Sequence, residues 1–137
     1  MHWAAKYVGV PYAEGARGPQ AYDCWGIIQL IYRQEKGIVL PDLPGLRAPM
    51  IKEINDAIQR ESAIDWKEMV TPVEGCVVAM GHTEDLHHVG IWIDTGAEGG
   101  KVLNSRAGHN VVVDTLRAIK LRGLRVVKFY KHKQWPG

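Results

Sequence analysis

Cys24 is the residue of this chain best placed to do chemistry. It follows an aspartate and opens an apolar helical pattern, in Tyr22-Asp23-Cys24-Trp25-Gly26. The spacing predicts a helix from about Cys24 to Glu35, with Ile27, Ile28, Leu30, Ile31 and Tyr32 on a broad buried face. Asp23 is a good N-cap type and Gly37 a plausible stop. A thiol in the first turn meets unpaired backbone N–H groups and the positive end of the helix dipole. Such a position is expected to lower its pKa toward thiolate, the form that attacks carbonyls. A lone helical cysteine is more often a small buried hydrophobe, so its partners decide the reading.

A thiol nucleophile needs a base and a group that orients the base. His88 opens the strand-like run His88-Val-Gly-Ile-Trp-Ile93. Alternation sets His88, Gly90 and Trp92 on one face and Val89, Ile91 and Ile93 on the other. Gly90 is expected to leave room for the Cys24 helix. The next apolar run, Val102-Leu103-Asn104-Ser105, offers the Asn104 amide to the ring nitrogen of His88 turned away from sulfur. A metal site is the competing use of the same region, since His82, Asp85, His87 and His88 fall within seven positions. Those ligand types suit zinc, but their spacing matches no helical ligand motif, and no metal or cofactor is expected.

These residues need elements to hold them. Residues 3–8 read as a short helix closed by Gly9. Val10 to Pro19 is a Gly- and Pro-rich loop leading to the cysteine, with Tyr12 able to reach the thiol or a substrate carbonyl. Pro41, Pro44 and Pro49 break the next stretch, and residues 50–62 regain a helical period. Residues 65–68 read as a short connection. Beyond residue 72, strands are expected at 76–80, 88–93, 101–105, 110–114 and 125–130, separated by Gly-rich turns. The tail from Lys131 reads as frayed. Helices first and strands later imply an α+β domain with an antiparallel sheet, and the 137 residues suit a single domain over 1–137.

Composition narrows the classes. Hydrophobic residues make up 46% of the chain, enough for a core. A net charge of +2 gives no case for nucleic acid, and the basic run Arg117 to Arg122 reads as a solvated face. No run of eighteen apolar residues argues for a membrane span. No signal peptide is visible, so synthesis in the cytoplasm is expected, with delivery to any outside substrate by other means. Two cysteines are too few for a disulfide scaffold; a Cys24–Cys76 bridge stays open and would remove the nucleophile.

Gly9-Val10-Pro11-Tyr12, Asp23-Cys24-Trp25-Gly26, Gly75-Cys76 before a strand, His88-Val89-Gly90-Ile91 and then Asn104 stand in one order over residues 3 to 130. In that order the chain resembles the NlpC/P60 family of papain-like cysteine peptidases. The resemblance implies N-terminal helices packed on a five- to six-stranded antiparallel sheet. It implies Cys24 as nucleophile, His88 as general base and Asn104 as the orienting residue, where the family often has histidine. It implies Tyr12 beside the cysteine, Asp23 helping to hold the substrate's free amine, and Trp25 at the pocket wall in place of the usual serine. The implied substrate is a peptidoglycan stem peptide, often cut between D-glutamate and a diamino acid. Trp25, Glu14 and Ala16 depart from the family pattern and leave the bond open. Asp-Cys-Trp-Gly preceded by Arg-Gly-Pro is similar to stand-alone members of phage and prophage tail clusters, which implies tail proteins as partners. A secreted toxin effector, an amidase or transacylase, and a non-enzymatic tail module are the alternatives.

Overall fold

The computed structural model describes residues 2–40, 66–82, 85–95 and 99–135. The expected helix over 50–62 and the prolines before it lie outside the described residues.

The cysteine helix, α1 (Cys24–Lys36), starts and stops where its sequence dictates. Asp23 stays extended and its Oδ1 accepts the Gly26 N–H at 2.7 Å, satisfying one of the orphan donors of the first turn. Gly37 takes the left-handed conformation at φ 67°, and its N–H closes on Arg33. Ile27, Ile28, Ile31 and Tyr32 have no exposed surface, so packing rather than propensity holds this helix. A 3-10 helix (Trp3–Tyr7) precedes it.

Among the described residues six strands follow: β1 (Trp66–Met69), β2 (Val77–His82), β3 (Asp85–Asp94), β4 (Gly100–Arg106), β5 (Asn110–Thr115) and β6 (Arg125–His132). They form one antiparallel sheet in the order β1-β6-β2-β3-β4-β5. A short helix, α2 (Leu116–Leu121), links β5 to β6. The α+β class and the antiparallel sheet stand as read. The stretch after Asp65 is not a connection but the edge strand β1, and the basic run after Thr115 is helical.

Strand alternation divides the core in two. Val77, Ala79, Val89, Ile91, Ile93 and Leu103 belong to the cluster that includes α1. Val78, Met80, Trp92 and Val102 belong to a second cluster with Ile119 of α2. Burial of these side chains at about 25 cal/mol per Å² of apolar surface is the main stabilising contribution. The tail is not frayed at Trp135, which is 2% exposed. Its ring lies 4.7 Å from that of Tyr32, whose hydroxyl donates to the Gly75 carbonyl at 2.5 Å. A Cβ on Gly75 would fall 2.0 Å from the Trp135 ring, so only glycine fits beneath it.

Candidate active site

The loop between the first helix and α1 is tied down at both ends. Gly9 donates to the Val111 carbonyl at 2.8 Å, and Val111 donates back to Val10 at 3.0 Å. The Tyr12 N–H then donates to Asn110 Oδ1 at 3.1 Å. Further on, Tyr22 donates to Pro11 and Asp23 to Ala16, at 2.9 and 3.0 Å. The buried Ser105 hydroxyl donates to the Tyr22 carbonyl at 3.0 Å, fixing the residue before Asp23 to β4. Gly26 permits this wrapping: a Cβ there would sit 2.5 Å from the Ala16 carbonyl oxygen.

Cys24 is 3% exposed, and both cysteines are free thiols. The backbone N–H of Val89, the residue after His88, acts on the sulfur and favours its charged form. The start of α1 is thereby held against the strand that carries the imidazole. Burial pushes the Cys24 thiol up to about 12, and the nearby Asp23 carboxylate adds to the rise. The Val89 N–H, Arg17 and the Trp25 N–H oppose it without overcoming it. The expected lowering by the helix terminus is therefore outweighed: the site as it stands favours the protonated thiol. Any base must take the proton during the reaction.

On β3 and β4 the two polar residues meet. His88 Nε2 lies 2.7 Å from Asn104 Oδ1. An amide oxygen only accepts, so Nε2 carries the proton in this pair and the neutral ring keeps its lone pair on Nδ1. Gly90 allows the approach, although its neighbour is β4 and not α1. A Cβ there would stand 2.5 Å from Val102 Cγ1, 2.7 Å from the Leu103 carbonyl and 3.2 Å from Asn104 Cβ.

The remaining expected residues take definite places. Tyr12 is half-buried; burial raises its phenol pKa, and the charges of Cys24, Glu14 and Asp23 raise it further. Asp23 is 2% exposed, and its Oδ2 pairs with Arg17 at 2.5 Å. Trp25, also 2% exposed, belongs to the main core cluster and offers little surface to a ligand. Of the suggested metal ligands, His88 has its Nε2 engaged with Asn104. The side chains of His82, Asp85 and His87 lie outside the described residues. Arg17 and Ser105 are site residues that the sequence reading missed. Arg17 was legible only as the start of Arg-Gly-Pro in a Gly-rich loop, with no role in the site, and Ser105 as the end of a strand.

A model of the NlpC/P60 family matches residues 9–123, which include every residue of this constellation. The chain belongs to the NlpC/P60 family. Peptidases of the NlpC/P60 family are cysteine hydrolases. Among solved structures, the NlpC/p60 domain of the peptidoglycan hydrolase SagA is similar, with a TM-score of 0.55 and 24% identity. The match covers 93% of this chain and 90% of that one, and shows the shared NlpC/P60 fold. A 39-residue stretch is 46% identical to the gamma-DL-glutamyl hydrolase of Bacillus subtilis (strain 168). That stretch is 28% of this chain and 9% of the Bacillus protein's length.

Proposed function

We propose that the protein is a cysteine peptidase that hydrolyses amide bonds in peptidoglycan stem peptides. The observation that carries this reading is the His88–Asn104 pair across β3 and β4, with the N–H of Val89, next to His88, favouring the Cys24 thiolate. Nδ1 of His88 takes the thiol proton as sulfur attacks the carbonyl carbon. Backbone N–H groups at the start of α1, that of Cys24 included, stabilise the oxyanion. The imidazolium then gives its proton to the leaving amine, and water cleaves the thioester with His88 as base again. Asn104 holds the ring in the required tautomer, and Tyr12, whose phenol feels the charge of Cys24, serves as a wall of the site. Asp23 receives the free amine of the substrate when Arg17 moves aside, and Trp25 shapes the wall from behind. Arg17 and Arg33 also line a cleft of about 190 Å³ beside α1, which neither Cys24 nor His88 lines and which suits the carboxylates of a stem peptide.

The bond we assign is the one between D-glutamate and the diamino acid. The gamma-glutamyl hydrolase named among the relatives supports it over a short stretch. The resemblance of Asp-Cys-Trp-Gly with Arg-Gly-Pro to tail-encoded members supports a role in a phage or prophage tail, acting on the wall from outside the compartment of synthesis. The test is digestion of a defined stem peptide, with products weighed by mass spectrometry. Cleavage after D-glutamate by the native protein and none by Cys24→Ala is expected. Equal cleavage by both would end the nucleophile assignment, and no cleavage by either would favour a binding module of a tail.

A further inference from the structure

Asn104 is fully buried and has three hydrogen-bond functions to satisfy, one oxygen and two N–H donors. Its Nδ2 donates to the Val102 carbonyl at 3.2 Å and to Asp114 Oδ2 at 3.0 Å. Both of those partners accept only. A flipped amide would press its oxygen on two other oxygens and leave its donors facing His88. The acceptors therefore decide which end of the amide meets the imidazole. Val102 O is Asn104's own strand neighbour and would be present in any sequence. The side-chain contribution comes from Asp114 on β5.

The surroundings of Asp114 are built to keep it there. Its side chain is 14% exposed, and Arg122 Nη2 donates to Oδ2 at 3.2 Å. Arg106 Nη1 stands 3.9 Å from the same oxygen. Arg106 Nε and Nη1 are buried and have no hydrogen-bond partner among the described residues, so Arg106 contributes charge rather than a directed bond. Arg122 reaches back because α2 is one short helix. Thr115, next to Asp114, caps its start by accepting the Ala118 N–H at 3.0 Å, and Arg122 terminates it.

We propose that Asp114 is a positioning residue of this site: its bond to Asn104 Nδ2 sets the direction of the chain Asp114–Asn104–His88, and so which imidazole nitrogen bears the proton. The proposal rests on the peptidase reading for its purpose but not for its geometry. Arg122 and α2 thereby serve the site without touching it.

Neither measurement that tests this uses a substrate, so failure here is distinct from failure of the peptidase assignment. In a Cys24→Ala background, ¹⁵N shifts of the His88 ring report the tautomer. The native Asp114 and Asp114→Asn, whose amide oxygen can still accept from Asn104, are expected to hold the Nε2–H form. Asp114→Val, or Asp114→Ala if the valine variant fails to fold, is expected to populate Nδ1–H. With Cys24 present, alkylation of its thiol at neutral pH should fall about tenfold in Asp114→Val, the effect of one lost hydrogen bond. It should fall no more than about threefold in Asp114→Asn, where the bond is kept. In an Asn104→Ala background the Asp114→Val change should have no further effect. An unchanged tautomer in Asp114→Val, an equal loss in Asp114→Asn, or an equal loss without Asn104 would each overturn the proposal.

Discussion

Replacing His88 by alanine, with Cys76 also changed to alanine so that one thiol remains, isolates the cost of ionising Cys24. Burial first and the Asp23 charge second carry that thiol from 9.0 to about 12. Three pH units correspond to about 4 kcal/mol against the thiolate, at 1.36 kcal/mol per unit. At pH 7.5 the thiolate population then falls about a thousandfold below that of an unperturbed thiol. A more basic thiolate is intrinsically more nucleophilic, and a Brønsted slope of about 0.4–0.5 returns roughly twentyfold. The His88→Ala variant should thus react with a small neutral alkylating agent about fiftyfold more slowly than a free cysteine peptide. The sign is fixed by the raised pKa: thiolate appears only as pH rises toward 12. The logarithm of the rate should therefore climb with unit slope across pH 7 to 10. If His88 is the base, the rate at pH 7.5 with its imidazole in place should exceed that of the alanine variant at least about tenfold. The assay is quantified by intact mass against time, with thermal melts confirming that both proteins are folded. Equal rates with and without His88 would refute the claim that its ring draws the proton from sulfur. A titration limb near 9 in the alanine variant would refute the claim that burial opposes the thiolate.

Two further outcomes follow from packing. Gly90→Ala forces a methyl against Val102 and the Leu103 carbonyl, and should cost about 1–3 kcal/mol, read as a fall of several degrees in the melting temperature. Its activity should drop with it, because the added methyl also stands against Asn104; an unchanged melt would show that β4 yields freely. Trp135→Ala should cost about 3–5 kcal/mol in a denaturant melt, since it empties a slot between Tyr32 and Trp3, and a loss under 1 kcal/mol would return this residue to the frayed tail.

The helix at Cys24 was legible because its cap, its apolar run and its glycine stop all lie within fifteen residues. The alignment of His88 with Asn104 was legible because two neighbouring apolar runs each carry a side chain suited to the other, an imidazole and an amide. Elements whose stability comes from distant partners were not legible. Trp66–Met69 has two exposed charged residues in the middle and becomes a strand only by pairing with Phe129–His132, sixty residues away. The six residues of α2 are too few to show a helical period. The sign of the thiol shift was misjudged for a related reason. A capping aspartate and a helix start can be read from the order of residues. The depth of burial around sulfur, which decides the balance, is a property of the assembled core. Asp114 was invisible as a site residue because its relation to His88 passes through Asn104 and exists only across two strand pairings.

At the edge of the sheet opposite β1, β5 does not end in open hydrogen-bonding groups along its whole length, since Gly9 and Val10 lie against Val111 like a hem. Exposed borders of that kind recruit other chains. The stretch that leads into Tyr12 is thus also the stitching that covers this border. A cut or an insertion between Gly9 and Tyr12 would undo the two together, the setting of Tyr12 and the cover on β5.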